Sequence, residues 1–190
     1  MIRAFIAVRI DSKTLENISA VTSQLKRRLP GVRWVAKENI HLTLKFFGQI
    51  DETQIEPISQ MLEVVIRPFP RFTINAKGLG VFPDFKKPRV LWIGLQGSGL
   101  VSLASAIDSR LEALGFEPEK RSFKPHLTVG RWHHFEGSAT RLRHELEEWK
   151  NYRFGESTVK ELTLFQSITK PEGAVYYSLK SVALPGEYKL

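Results

Sequence analysis

The spacing of apolar residues along the 190-residue chain switches between two periods, and it does so twice in the same order. Arg3-Ala4-Phe5-Ile6-Ala7-Val8 is a short apolar run that reads as a strand. Over residues 11–29 the spacing becomes helical: Leu15, Ile18, Val21, Thr22 and Leu25 recur on one face, Ser12 is placed to cap the start, and Pro30-Gly31 ends the stretch. The order restarts at Arg89-Val90-Leu91-Trp92-Ile93-Gly94-Leu95, again a strand, broken by Gly97-Ser98-Gly99. A helix over residues 100–114 follows, with Leu103, Ile107, Leu111 and Leu114 on one stripe and Gly115 suited to its C-terminus.

Each of these units leads into nearly the same tetrapeptide, His41-Leu42-Thr43-Leu44 in the first and His126-Leu127-Thr128-Val129 in the second. With five histidines in the chain, a coincidence of this kind is about a one-in-three-thousand event. After each tetrapeptide the pattern predicts a further helix, over residues 52–67 and 138–149, then a strand, over 71–78 and 157–165. A last strand, 175–183, is expected to pair with 157–165 through a turn at Lys170-Pro171-Glu172-Gly173. Strands alternating with helices indicate an α/β or α+β fold. The repeat points to a single bilobal domain of two duplicated halves, approximately 1–85 and 86–190, with strands open to exchange between lobes and a cleft between them.

Composition narrows the functions available. Apolar residues at 42% suit a folded globular protein of one domain. No stretch has the length of a membrane span and the N-terminus lacks a signal-peptide pattern, so a cytoplasmic protein without membrane contact is expected. The absence of cysteine excludes disulfides, thiol catalysis and thiolate metal sites. A net charge of +8, spread over scattered basic clusters, makes a polyanion such as RNA a natural partner. The internal pair of halves makes a monomer the default.

Read as strand, each tetrapeptide sends its histidine and threonine to one face and its two apolar residues to the other. If the halves face each other, two imidazoles and two hydroxyls line one groove. Two histidines suffice to open a cyclic phosphodiester: a neutral imidazole takes the proton of the attacking water, and an imidazolium protonates the leaving oxygen. Thr43 and Thr128 are placed to donate to the non-bridging phosphate oxygens, where charge accumulates. This chemistry asks for no metal and no cofactor.

The tetrapeptides and their surroundings resemble the two-histidine (2H) phosphoesterases, whose hallmark is a pair of His-x-Thr-x motifs with x apolar. The closer likeness is to the RNA 2′,3′-cyclic phosphodiesterase branch, also described as 2′-5′ RNA ligase-like. It is carried by Arg3-Ala4-Phe5-Ile6-Ala7, Glu38-Asn39-Ile40-His41-Leu42-Thr43-Leu44-Lys45-Phe46-Phe47-Gly48, Gly80-Val81-Phe82-Pro83, Pro88-Arg89-Val90-Leu91-Trp92, Phe123-Lys124-Pro125-His126-Leu127-Thr128-Val129-Gly130-Arg131 and Leu164-Phe165-Gln166-Ser167. The resemblance implies an α+β, bilobal, pseudo-twofold fold with two antiparallel sheets, helices outside and a central cleft. It implies metal-independent hydrolysis of RNA 2′,3′-cyclic phosphate ends to 2′-phosphomonoesters, with reverse 2′-5′ ligation open to the same site. It casts His41 as proton donor and His126 as proton acceptor.

Secondary candidates surround the motifs. Arg131 offers a bidentate phosphate contact if a bulge at Gly130 turns it toward the histidines. Simple alternation gives Lys45 and Phe47 the parity of His41 and Thr43, so Lys45 is a candidate phosphate contact and Phe47 a candidate stacking surface. His133 and His134 are expected on opposite strand faces, without a third ligand, which argues against a metal site. Competing readings are a phosphodiesterase for a small nucleotide such as an ADP-ribose cyclic phosphate, a non-catalytic RNA-binding module, and a purely structural duplication.

Overall fold

The computed structural model describes residues 1–171 and 173–186; Glu172, in the predicted turn, lies outside the described residues. The elements are β1 (Ile2–Arg9), α1 (Ser12–Arg28), β2 (Val32–Trp34), β3 (His41–Ile50), α2 (Ile55–Val65), β4 (Phe72–Phe82), β5 (Val90–Gln96), α3 (Leu100–Glu112), β6 (His126–Trp132), α4 (Ala139–Glu147), β7 (Arg153–Val159), β8 (Glu161–Lys170) and β9 (Gly173–Ala183). Short 3-10 turns at Lys37–Asn39 and Glu52–Gln54 lead into β3 and α2.

The helices follow their apolar stripes. α1 buries Thr14, Ile18, Val21 and Leu25, and Lys26, Arg27 and Arg28 in its last turn oppose the helix dipole. Asp11, not Ser12, occupies its N-cap, and the Asp11 carboxylate accepts the Thr158 amide across the chain instead of capping the helix. α4 begins one residue later than the pattern indicates because Ser138 is its N-cap, the hydroxyl accepting from the Arg141 amide. After α3, Gly115 takes a left-handed φ of 82°, and the Phe116 amide donates back to the Leu111 carbonyl. No helix among the described residues is long and apolar enough to cross a membrane.

The strands run in the order β7-β4-β5-β6-β3-β1-β8-β9, all antiparallel, with β2 added to β6. Read outward from the centre, β6-β5-β4-β7 mirrors β3-β1-β8-β9, so each lobe has four matched strands, with β2 a fifth beside β6. The ladders of the two lobes are joined at one residue pair, Leu42 opposite Leu127, both essentially fully buried, over one continuous core. Each lobe contains strands from both halves of the chain: β4 joins β5, and β8 joins β1. For this reason the single strand predicted over 157–165 is two. The chain leaves one lobe at Lys160, with β7 pairing to β4 and β8 pairing to β1 and β9. β2, only three residues long, is too short to leave a period in the sequence; it lies along β6 from Val32 opposite Trp132 to Trp34 opposite Gly130.

Candidate active site

Alternation along β3 and β6 sets the first geometry. Leu42 and Leu44, like Leu127 and Val129, turn into the core, while His41, Thr43, His126 and Thr128 stay half-buried on the opposite face. All four line one cavity of about 370 Å³ between the lobes. Each imidazole is oriented by the backbone two residues earlier: Nδ1 of His41 lies 2.8 Å from the Asn39 carbonyl and Nδ1 of His126 lies 2.7 Å from the Lys124 carbonyl. A carbonyl only accepts, so both Nδ1 atoms carry hydrogen, and Nε2 is the nitrogen left for chemistry on each ring.

The surroundings of the two rings differ. His41 stacks on Phe5 at 4.9 Å and meets the edge of Tyr176 at 5.2 Å. Among the described residues, His126 has one aromatic neighbour, Phe82, which it meets edge-on at 5.2 Å. Burial pushes the His41 imidazole down to about 4, and the cations Arg9 and Arg131 push the same way, against the raising effect of the Asn39 carbonyl. His41 in the free site is therefore neutral at pH 7.

Immediately after each threonine the strand bulges, at the same point in both lobes. Opposite β1, Thr43 pairs with Ala7 and Lys45 with Ile6, so Leu44 is passed over; opposite β5, Thr128 pairs with Trp92 and Gly130 with Leu91, so Val129 is passed over. The extra residue reverses parity. Arg131 is thereby brought into the cavity lining. Gly130 has a packing reason as well, since a Cβ there would come within 2.5 Å of Val32 on β2.

The same bulge corrects the reading of Lys45 and Phe47, which do not line this cavity. Lys45 turns inward, 8% exposed, and its ammonium pairs with Asp108 on α3 and donates to the Glu117 carbonyl at 2.9 Å. Phe47 packs against Phe116, ring centroids 4.8 Å apart. The residue that faces the cavity is Phe46, 47% exposed, with the Arg3 guanidinium 4.9 Å over its ring.

Further lining residues lie outside the two tetrapeptides. Arg3, Asn39, Ser167, Thr169 and Tyr176 complete the wall, the last three from the β8–β9 hairpin. Arg3, Asn39 and Ser167 stand in stretches that carry the family resemblance, whereas Thr169 and Tyr176 lie outside them. Among the described lining residues the charged ones are Arg3 and Arg131, with no carboxylate, which suits an anion. His133 and His134 fall in a bend beyond β6, with ring centroids 4.4 Å apart instead of on opposite faces. Among the described residues no three His, Asp or Glu side chains gather as a metal-binding group.

Comparison with known proteins agrees with this architecture. A family model described as LigT like Phosphoesterase matches residues 8–92 and 93–176. The chain is 36% identical to an RNA 2′,3′-cyclic phosphodiesterase of Methanocaldococcus jannaschii, over 94% of this chain and 98% of that protein. It is 31% identical to one of Thermotoga maritima, over 97% and 96%. Among solved structures, E. coli LigT complexed with 3′-AMP superposes with a TM-score of 0.77 at 25% identity, covering 96% of this chain and 98% of that one. The repeated motif, the lobed sheet around it and these likenesses converge: the chain belongs to the LigT-like phosphoesterase family.

Proposed function

We infer that this chain is an RNA 2′,3′-cyclic phosphodiesterase, a hydrolase that opens the cyclic phosphate at an RNA end to a 2′-phosphomonoester. The observation that carries the catalytic assignment is the matched pair of histidines, each with Nδ1–H committed to a carbonyl and Nε2 left for chemistry, lining one cavity with two threonines and, among the described lining residues, no carboxylate. The cyclic phosphate lies between the rings. Water attacks phosphorus and gives its proton to His126 Nε2, the P–O3′ bond breaks, and the Nε2–H of protonated His41 passes to O3′. Thr43, Thr128 and Arg131 hold the non-bridging oxygens as their charge grows. Phe46 supplies an aromatic face for the adjoining base, with Arg3 beside it.

The donor role assigned to His41 makes a demand on the substrate, because the free imidazole is neutral at pH 7. An anionic phosphate between the rings supplies the missing attraction for a proton and engages Arg131, which otherwise disfavours it. The assignment is tested by hydrolysis of an oligonucleotide ending in a 2′,3′-cyclic phosphate, in EDTA from pH 5 to 9, with wild type, His41→Ala and His126→Ala. A bell-shaped, EDTA-resistant profile lost in both folded variants is expected. Activity surviving in either variant removes that histidine from the mechanism.

A further inference from the structure

The two histidines occupy matched positions, yet the residues two places before them differ in what their side chains do. The Lys124 ammonium lies 5.9 Å over the Phe82 ring, within its own lobe. The Asn39 side chain instead reaches across the chain: its Nδ2 donates to the Ala174 carbonyl at 2.8 Å, while the Asn39 backbone carbonyl accepts from His41 Nδ1–H at 2.8 Å. Ala174 sits at the start of β9, beside the tip of the β8–β9 hairpin, two residues before Tyr176, whose ring edge meets His41. A closed circuit results, from imidazole to Asn39 backbone, from Asn39 amide to hairpin, and from hairpin back to the imidazole through Tyr176. β9 is an edge strand, bonded to β8 alone in the sheet. The Asn39 amide thus fastens the start of β9 over the cavity.

We propose that Asn39 is a positioning residue for His41, a strut that holds the β8–β9 hairpin down on the ring and fixes the direction of Nε2. The proposal rests on the phosphodiesterase reading for its catalytic readout but not for its structural one. With the strut cut, the Nδ1 carbonyl contact remains, since it belongs to the backbone. What is lost is the lid: Tyr176 lifts, water reaches the imidazole, and the ring gains freedom to turn. Among the described residues, the charged and titratable groups facing His41 are Arg9 from β1, Arg131 from β6 and Tyr176 from β9, with Arg3 from β1 and His126 from β6 on the same cavity wall. Arg9 and Arg131 stay in place, so the change on opening is hydration, which moves the imidazole up from about 4 toward its ordinary value.

The experiment is an NMR titration of both histidines in full-length wild type and Asn39→Ala, alongside kcat and KM on the cyclic-phosphate oligonucleotide. In Asn39→Ala the His41 midpoint is expected to rise by about one pH unit or more while the His126 midpoint stays where wild type has it. The kcat is expected to fall about tenfold with KM changed by less than about threefold, as for loss of orientation rather than of binding. An unmoved His41 midpoint with wild-type kcat in the folded variant overturns the proposal. If Asn39→Ala fails to fold, Asn39→Ser, whose hydroxyl is too short to span to Ala174, is read by the same titration. A wild type that hydrolyses nothing sinks the phosphodiesterase reading, while the titration still decides on the strut.

Discussion

His41 binds a proton less readily in the folded protein than in the unfolded chain, about 4 against an ordinary 6.5, and this fixes the sign of a stability change. Above pH 6.5 both states hold a neutral ring. As pH falls toward 4 the unfolded chain takes up the proton first, so stability contributed by this residue is lost across that window, up to about 3 kcal/mol. Urea denaturation at pH 7 and pH 4.5 should show a larger drop for wild type than for His41→Ala, the difference isolating this ring from the carboxylates. Phe46 and Phe47 give a second test at the same scale. Phe46→Ala should raise KM several-fold and leave the urea midpoint nearly unchanged; Phe47→Ala should lower stability by about 3 kcal/mol through its contact with Phe116, with KM little altered. Alternation alone made the histidines and threonines legible as one face. It misassigned Lys45 and Phe47 because nothing in the residue type of Leu44 announces a bulge. In the second motif Gly130 did offer such a signal, which is why Arg131 could be considered there.

At the scale of elements, the bulge in β3 is anchored from behind. Lys45 reaches Asp108 on α3, and the second Asp108 oxygen accepts the Glu119 amide, so one carboxylate joins strand, helix and the loop after the helix. Asp108→Ala leaves a buried ammonium without its partner and should cost about 3 kcal/mol in urea denaturation. A midpoint equal to wild type would show that the ammonium reaches water once its partner is gone. Helices were legible to within a few residues because each buries a single stripe, as α1 does with Ile18, Val21 and Leu25. Strand limits were less so. β7 and β8 are divided only by Lys160, and their separation depends on partners far away in sequence, which no local pattern encodes.

Across the whole molecule, the surplus of positive charge has a definite place to act. Among its described lining residues the cavity presents Arg3 and Arg131 without a carboxylate, so added salt should weaken a charged substrate more than it slows the chemical step. Raising NaCl from 50 to 300 mM should increase KM for the oligonucleotide several-fold with kcat little changed; a salt-independent KM would remove the arginines from substrate capture. The repeat announced a pair of halves, and we propose that they arose by duplication. The tetrapeptides could not announce that β4 and β8 are traded between lobes. That trade makes the two halves topologically interlocked. A chain severed between residues 85 and 86 yields two fragments, neither of which holds all the strands of a lobe. Each alone should remain unfolded, whereas the two produced together should assemble into one active particle, its cohesion shared among whole β ladders rather than resting on the single Leu42–Leu127 ladder pair.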